Sequence, residues 1–275
     1  MSKIDVLHPD FDYAGPDINS TDVVALSGPH PDSDAFGFLW HAFRGAGGAA
    51  TDLGSAGEAT CFEGCDVEPN DQSFANGIND NGLIVGTSTI DGAAGPSVMA
   101  PTLWPLAGDP IRLPGSGGGN AREIANNGRI IGSRGPHATL WEDSDDPPTD
   151  LGLLPGSTGS ESDAQDVNET GTVVGTSETA PGVTRAFMWT PGAGMQPIAS
   201  PNTLGGYSGG NAIGPDGTIV GSSYNGSETH AIIREPGKPI VDLNTLIPAG
   251  SGWTLNSARD INSEGQIVGN GVLNG

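Results

Sequence analysis

Gly77-Ile78-Asn79-Asp80-Asn81-Gly82-Leu83-Ile84-Val85-Gly86 is the stretch that decides the fold. Its Asn-Gly pair tolerates positive φ and stands between an isoleucine and a β-branched run. That order predicts two short strands joined by a tight hairpin turn. The stretch recurs as Glu123-Ile124-Ala125-Asn126-Asn127-Gly128-Arg129-Ile130-Ile131-Gly132 and as Asp166-Val167-Asn168-Glu169-Thr170-Gly171-Thr172-Val173-Val174-Gly175. It returns as Ala212-Ile213-Gly214-Pro215-Asp216-Gly217-Thr218-Ile219-Val220-Gly221, as Asp260-Ile261-Asn262-Ser263-Glu264-Gly265-Gln266-Ile267-Val268-Gly269, and more loosely from Asp17 to Ala25. The second residue of each copy falls at 18, 78, 124, 167, 213 and 261, with spacings of 60, 46, 43, 46 and 48. Six copies at so even a period define a repeat architecture.

Two further signatures follow each hairpin. The first is Ala35-Phe36-Gly37-Phe38-Leu39-Trp40, Pro101-Thr102-Leu103-Trp104, His137-Ala138-Thr139-Leu140-Trp141, Arg185-Ala186-Phe187-Met188-Trp189 and His230-Ala231-Ile232-Ile233-Arg234. The second is Thr51-Asp52-Leu53-Gly54, Ile111-Arg112-Leu113, Thr149-Asp150-Leu151-Gly152, Gln196-Pro197-Ile198 and Ile240-Val241-Asp242-Leu243. Four short strands per copy predict a single all-β domain, a six-bladed β-propeller. A solenoid would need closer spacing, and a sandwich would not repeat its sequence. Five blades span about 14–54, 73–114, 120–152, 163–198 and 211–243. The sixth joins 256–275 to 1–10, with Ile4-Asp5-Val6-Leu7 as its fourth strand and Val272-Leu273-Asn274, entered through Asn270-Gly271, as its third. Such closure leaves no open edge.

Composition agrees. Gly 45 and Pro 22 argue against helical bundles and coiled coils, since both residues are poor in helix interiors. The periodic 35% of apolar residues argues against disorder. The net charge of −23, with lysine only at Lys3 and Lys238, disfavours nucleic acid and anionic membranes as partners. No apolar run reaches the about 18 residues of a membrane span, and the first residues lack the apolar core of a signal peptide.

The whole pattern resembles the HAF-type extracellular repeat family. That family is marked by His-Ala-Phe-Leu-Trp, then Asp-Leu-Gly, then Ala-x-x-Ile-Asn-x-x-Gly-x-Val-Val-Gly. The resemblance runs from about Ile4 to Gly271. It implies a repeat architecture in an extracellular or cell-envelope setting and says little about activity.

Candidate chemistry is sparse. Asp166-Val167-Asn168-Glu169-Thr170-Gly171 and Asp260–Gly265 echo a calcium loop, but its twelfth position holds Ser177 and Gly271, so no metal is expected. His137 and His230 share one repeat position, held elsewhere by Asp34 and Arg185, and read as strand-start features. Gly117–Gly119 leads into a strand, so no dinucleotide site and no cofactor are expected. Trp40, Trp104, Trp141 and Trp189 close the third strands and read as blade packing. Trp253 stands outside that pattern as a contact candidate. Cys61 and Cys65 fit a loop disulfide or two free thiols, with no further ligands for a metal. The residues two before the Ile/Val column include Asn76, Arg122, Gln165, Asn211 and Arg259, a polar set expected to line a central channel and bind a ligand. The loops 54–72 and 88–100 are the longest, and the first carries Asp66, Glu68 and Asp71. The leading expectation is a non-catalytic surface propeller that binds a carbohydrate or protein ligand or serves a structural role. The alternative is a polysaccharide-acting hydrolase or lyase with its site at the channel mouth.

Overall fold

The computed structural model describes residues 14–29, 40–47, 49–56, 72–92, 95–115, 117–198, 207–224 and 226–274. These residues contain no α-helix; one 3-10 turn, Leu243–Thr245, is the sole helical element among them. They form five four-stranded antiparallel sheets and one two-stranded sheet. The first holds β1 (Ala14–Ile18), β2 (Val24–Pro29), β3 (Trp40–Ala46) and β4 (Ala49–Asp52). The second holds β5 (Ser73–Ile78), β6 (Ile84–Gly92), β7 (Gly95–Trp104) and β8 (Ile111–Arg112). The third holds β9 (Gly119–Ile124), β10 (Ile130–Arg134), β11 (His137–Trp141) and β12 (Thr149–Asp150). The fourth holds β13 (Ser162–Val167), β14 (Val173–Ala180), β15 (Val183–Thr190) and β16 (Gly194–Pro197). The fifth holds β17 (Ser208–Ile213), β18 (Ile219–Tyr224), β19 (Thr229–Arg234) and β20 (Val241–Asp242). β21 (Trp253–Ile261) and β22 (Ile267–Leu273) make the last. The chain divides into two compact units, residues 1–135 with 141–148, and residues 136–140 with 149–275.

The tight hairpin turn is a three-residue loop. Asn79 N–H donates to the Leu83 carbonyl and Gly82 N–H to the Asn79 carbonyl. Gly82 has φ 76°, while Asn81 is not among the residues at positive φ. A type I turn followed by one left-handed residue makes a three-residue loop, so only the last turn position needs glycine. Asp22 takes that place in the first sheet, at φ 61°.

β5, β9, β13, β17 and β21 each carry a β-bulge, and its extra residue is a member of the polar column. The register breaks around Asn76, Arg122, Gln165, Asn211 and Arg259. At the bulge the two strands come very close. A Cβ on Gly86, Gly132, Gly175, Gly221 or Gly269 would overlap the carbonyl oxygen of Phe74, Asn120, Asp163, Gly209 or Ser257. The final glycine of the Val-Val-Gly motif is therefore a steric requirement of the bulge.

Within each unit, consecutive sheets are tied by the motif's asparagine. Asn19 Oδ1 accepts from Thr21 N and Val23 N, and its Nδ2 donates to the Asn79 carbonyl at 3.1 Å. Asn79 repeats this toward Leu83 N and the Ala125 carbonyl, and Asn168 toward Thr172 N and the Gly214 carbonyl. One amide thus closes its own turn and joins the next sheet. The preceding acid adds a second tie. Asp17 and Asp166 accept the backbone N–H of Ile78 and Ile213. Between sheets the apolar side chains interleave. In the first unit Trp104 packs with Ala25, Ala42, Ala75, Ile78 and Ile84. Trp141 packs with Val85, Leu103, Leu113, Ala121, Ile124 and Ile130.

Three strand expectations need correction. The third strand of the first sheet is Trp40–Ala46, so its repeat register is His41-Ala42-Phe43, not Ala35-Phe36. Gly45, opposite Val24, holds the place of Trp104, opposite Ile84. Trp40 instead starts β3 and stacks on Phe74 with ring centroids 6.3 Å apart. Residues 88–100 are mostly strand, because β6 and β7 continue as a long hairpin. β22 runs unbroken through Asn270-Gly271, so Val272-Leu273-Asn274 is not a separate strand. Ile4-Asp5-Val6-Leu7 lies outside the described residues.

Candidate functional site

The histidines answer a structural need. His41, His137 and His230 open the third strands, and each Nδ1 lies 2.9, 3.0 and 2.6 Å from Oδ2 of Asp52, Asp150 and Asp242. A carboxylate only accepts, so Nδ1 carries the proton. Each aspartate also accepts a backbone N–H two residues on, from Gly54, Gly152 and Asn244, at 2.8 Å. The N–H of the following alanine, Ala42 or Ala138, donates to the hydroxyl of Ser73 or Ser162 in the next sheet. Those hydroxyls donate in turn to the carbonyls of Gly54 and Gly152. His-Ala, Asp-Leu-Gly and the later serine are therefore one clip that fastens two outer strands to the next sheet.

The clip has a pH signature. Burial pushes the Asp242 carboxyl up, but the hydrogen bonds from His230 and Asn244 and the His230 charge outweigh it, so it titrates below the ordinary aspartate range. A depressed folded pKa gives stability that is complete above the unfolded value and disappears as pH falls through the folded one. Asp242→Asn is expected to cost about 1 kcal/mol at neutral pH. That deficit shrinks once pH drops below the ordinary aspartate value of about 3.9. Urea unfolding of both proteins at the two pH values checks this; an equal deficit at both removes the charge from the account.

Two members of the expected ligand column, Asn76 and Asn211, bond to the next sheet. Asn76 Nδ2 donates to the Ala121 carbonyl at 2.7 Å, and Asn211 Nδ2 to the Ala258 carbonyl at 2.6 Å. Gln165 Nε2 donates to Asp163 Oδ2. Arg122 is half-buried and Arg259 exposed. Asn76 and Arg122 belong to the first unit, Gln165, Asn211, Arg259 and Trp253 to the second. Cys61, Cys65, Asp66, Glu68 and Asp71 lie outside the described residues. Among the described residues no group of three or more His, Cys, Asp or Glu is placed to hold a metal ion, and no helix is long and apolar enough to cross a membrane.

The second unit contains an open cleft of about 490 Å³ where the fourth and fifth sheets meet. Thr176 and Thr184 come from the fourth sheet, and Tyr207, Asn211, Ser222, Tyr224 and Thr229 from the fifth or its approach. The Tyr224 N–H donates to the Tyr207 carbonyl at 2.8 Å, which sets the two tyrosines side by side. Tyr207 is 54% exposed. The Tyr224 hydroxyl donates to the Gly226 carbonyl, which steadies its ring. Among the described residues no charged side chain lines this cleft. Asp163 lies opposite Thr176 in the β13–β14 register and is not among the residues that line the cleft. Glu178 lies two residues further along β14. The backbone N–H groups of Ser160 and Gly182 hold its carboxyl below the usual range, so it stays ionised and acts as an acceptor. Of the residues expected from sequence, Asn211 reaches this cleft. Tyr207 and Tyr224 were missed because unlike residues hold their repeat positions elsewhere, Gln72 with Thr89 and Glu161 with Glu178.

No protein-family model matches the chain, and no curated protein is similar to it. Among solved structures it is similar to a Penicillium chrysogenum α-L-arabinanase complexed with arabinobiose. The identity is 12% and the TM-score 0.38, over 98% of this chain and 95% of that one. This finding stands against the expectation of a non-catalytic binding or structural propeller.

Proposed function

We propose that this chain acts on a neutral polysaccharide, as a hydrolase, with the glycan lying in the cleft of Tyr207 and Tyr224. The observation that carries this reading is the cleft's lining. A sugar presents hydroxyls around an apolar ring face. Threonine and serine hydroxyls and the Asn211 amide match the former, and the tyrosine rings cover the latter. Its volume lies within the range of small-ligand sites, about 300–1,000 Å³. An uncharged lining in a chain of net charge −23 favours a neutral glycan over an acidic one. The reading assigns the base or acid to Asp163, which lies across the β13–β14 pair from Thr176 and outside the lining itself. The same reading takes the six copies as blades of one six-bladed propeller in an extracellular or cell-envelope setting, supported by the even repeat and the resemblance to extracellular repeats.

The test incubates the chain with neutral and acidic polysaccharides and reads new reducing ends. Products from a neutral polysaccharide are expected, with Tyr207→Ala weakening its binding about ten-fold through loss of the ring face. Cleavage confined to acidic glycans, or none with any, overturns the reading.

A further inference from the structure

Position 209 sets the fifth sheet apart from the other five. In the second, third, fourth and last sheets this place on the first strand holds Phe74, Asn120, Asp163 and Ser257, and Ala14 has the same register in the first. In the fifth sheet it is Gly209, opposite Ser222. The backbone does not demand a glycine there, because Gly209 is not among the glycines at positive φ. Phe74 shows where a side chain at this place goes. Its ring stacks on Trp40, which starts the third strand of the preceding sheet. One hydrogen bond aligns the two junctions: Ala42 N–H donates to Ser73 Oγ at 2.9 Å, and Ala186 N–H to Ser208 Oγ at 3.0 Å. By that alignment the counterpart of Trp40 is Thr184, which lines the cleft of Tyr207 and Tyr224, as Gly209 itself does. A Cβ on Gly209 would stand 3.3 Å from Thr176 Cγ2 and 3.6 Å from Asn211 Oδ1, and both residues line the cleft too. A side chain at 209 would therefore enter the cleft.

We infer that Gly209 is the specificity-determining residue of this cleft: it leaves room for a sugar ring beside Thr184 and Asn211, and its replacement by a larger residue excludes that ring. The inference rests on the reading of the cleft as a neutral-glycan site and adds the residue that decides which rings it admits. Asn211 Nδ2 is engaged by the Ala258 carbonyl, so its Oδ1 is the acceptor offered to a sugar hydroxyl at this spot. Selection here is steric, with bulky or substituted rings rejected first as the space narrows.

The test applies the full chain and its Gly209→Ser and Gly209→Phe variants to an array of neutral glycans, linear and branched, after thermal unfolding has shown that each variant is folded. Serine and phenylalanine stand at the same place in the last and second sheets, so the fold has room for both. Glycans held by the wild type are expected to bind Gly209→Phe at least about ten-fold more weakly. Gly209→Ser is expected to fall between the two and to lose branched glycans more than linear ones, a selective change that general loosening of the fold does not give. Equal or tighter binding of every glycan by Gly209→Phe overturns the inference, and where that variant does not fold, equal binding by Gly209→Ser does so. The cleft reading survives that result if Tyr207→Ala still weakens binding. An array on which the wild type binds nothing overturns both.

Discussion

Trp104→Ala is expected to lower the unfolding free energy by about 3–5 kcal/mol, the range for large aromatic deletions in a core. Trp104 is 1% exposed and fills the space between the first two sheets. Truncation removes its contacts with Ile78 and Ile84 and leaves a void that the small partners Ala25, Ala42 and Ala75 cannot fill. It also removes the indole N–H that donates to the Gly54 carbonyl at 3.1 Å, the same carbonyl that anchors Ser73. Among the described residues Ile267, the counterpart of Ile84 in the last sheet, is only half-buried, whereas Ile84 beside Trp104 is fully buried. Trp104→Phe keeps much of the volume and loses the donor, so it is expected to cost about 1–2 kcal/mol. Denaturant unfolding of the three proteins settles the point. A loss below about 1 kcal/mol for the alanine variant contradicts the packing role.

Much of this architecture was legible in the chain because the repeat is written in residues with strict backbone duties. Turn glycines, the β-branched run and the Val-Val-Gly ending each answer a separate local demand. The bulge was not legible. Hydrophobic alternation continues across it, so the bonds by which Asn76 and Asn211 tie one sheet to the next left no signal. The first third strand was misplaced for a related reason. Ala35-Phe36 and Ala42-Phe43 both fit an apolar alternation, and only the clip distinguishes them. His41 precedes Asp52 by 11 residues, much as His137 precedes Asp150 and His230 precedes Asp242. A paired histidine and aspartate at that interval was the available signal. The cleft had no such signal, since Tyr207 and Tyr224 flank the motif positions and meet only when β17 and β18 pair.

Asn79 carries the second large effect. It is 3% exposed, closes its own turn by accepting the Leu83 N–H at 3.0 Å, and reaches the Ala125 carbonyl at 3.2 Å in the next sheet. Its own carbonyl accepts the amide of Asn19, so it is the middle of a chain of three sheets. Asn79→Ala removes both bonds at once and leaves a buried N–H and a buried carbonyl short of partners, a combined loss of about 2–4 kcal/mol. Asn79→Asp separates the two duties. The carboxylate still accepts from Leu83, but it now faces the Ala125 carbonyl with no donor and buries a charge. If the tie between sheets matters, the aspartate variant is therefore no more stable than the alanine variant at neutral pH. It recovers in acid, where the protonated carboxyl can donate to Ala125. If only the turn matters, aspartate is close to wild type at every pH. Unfolding curves at neutral and acid pH distinguish the two, and near-wild-type stability of Asn79→Asp at neutral pH means that the sheets are held together by their apolar contacts alone.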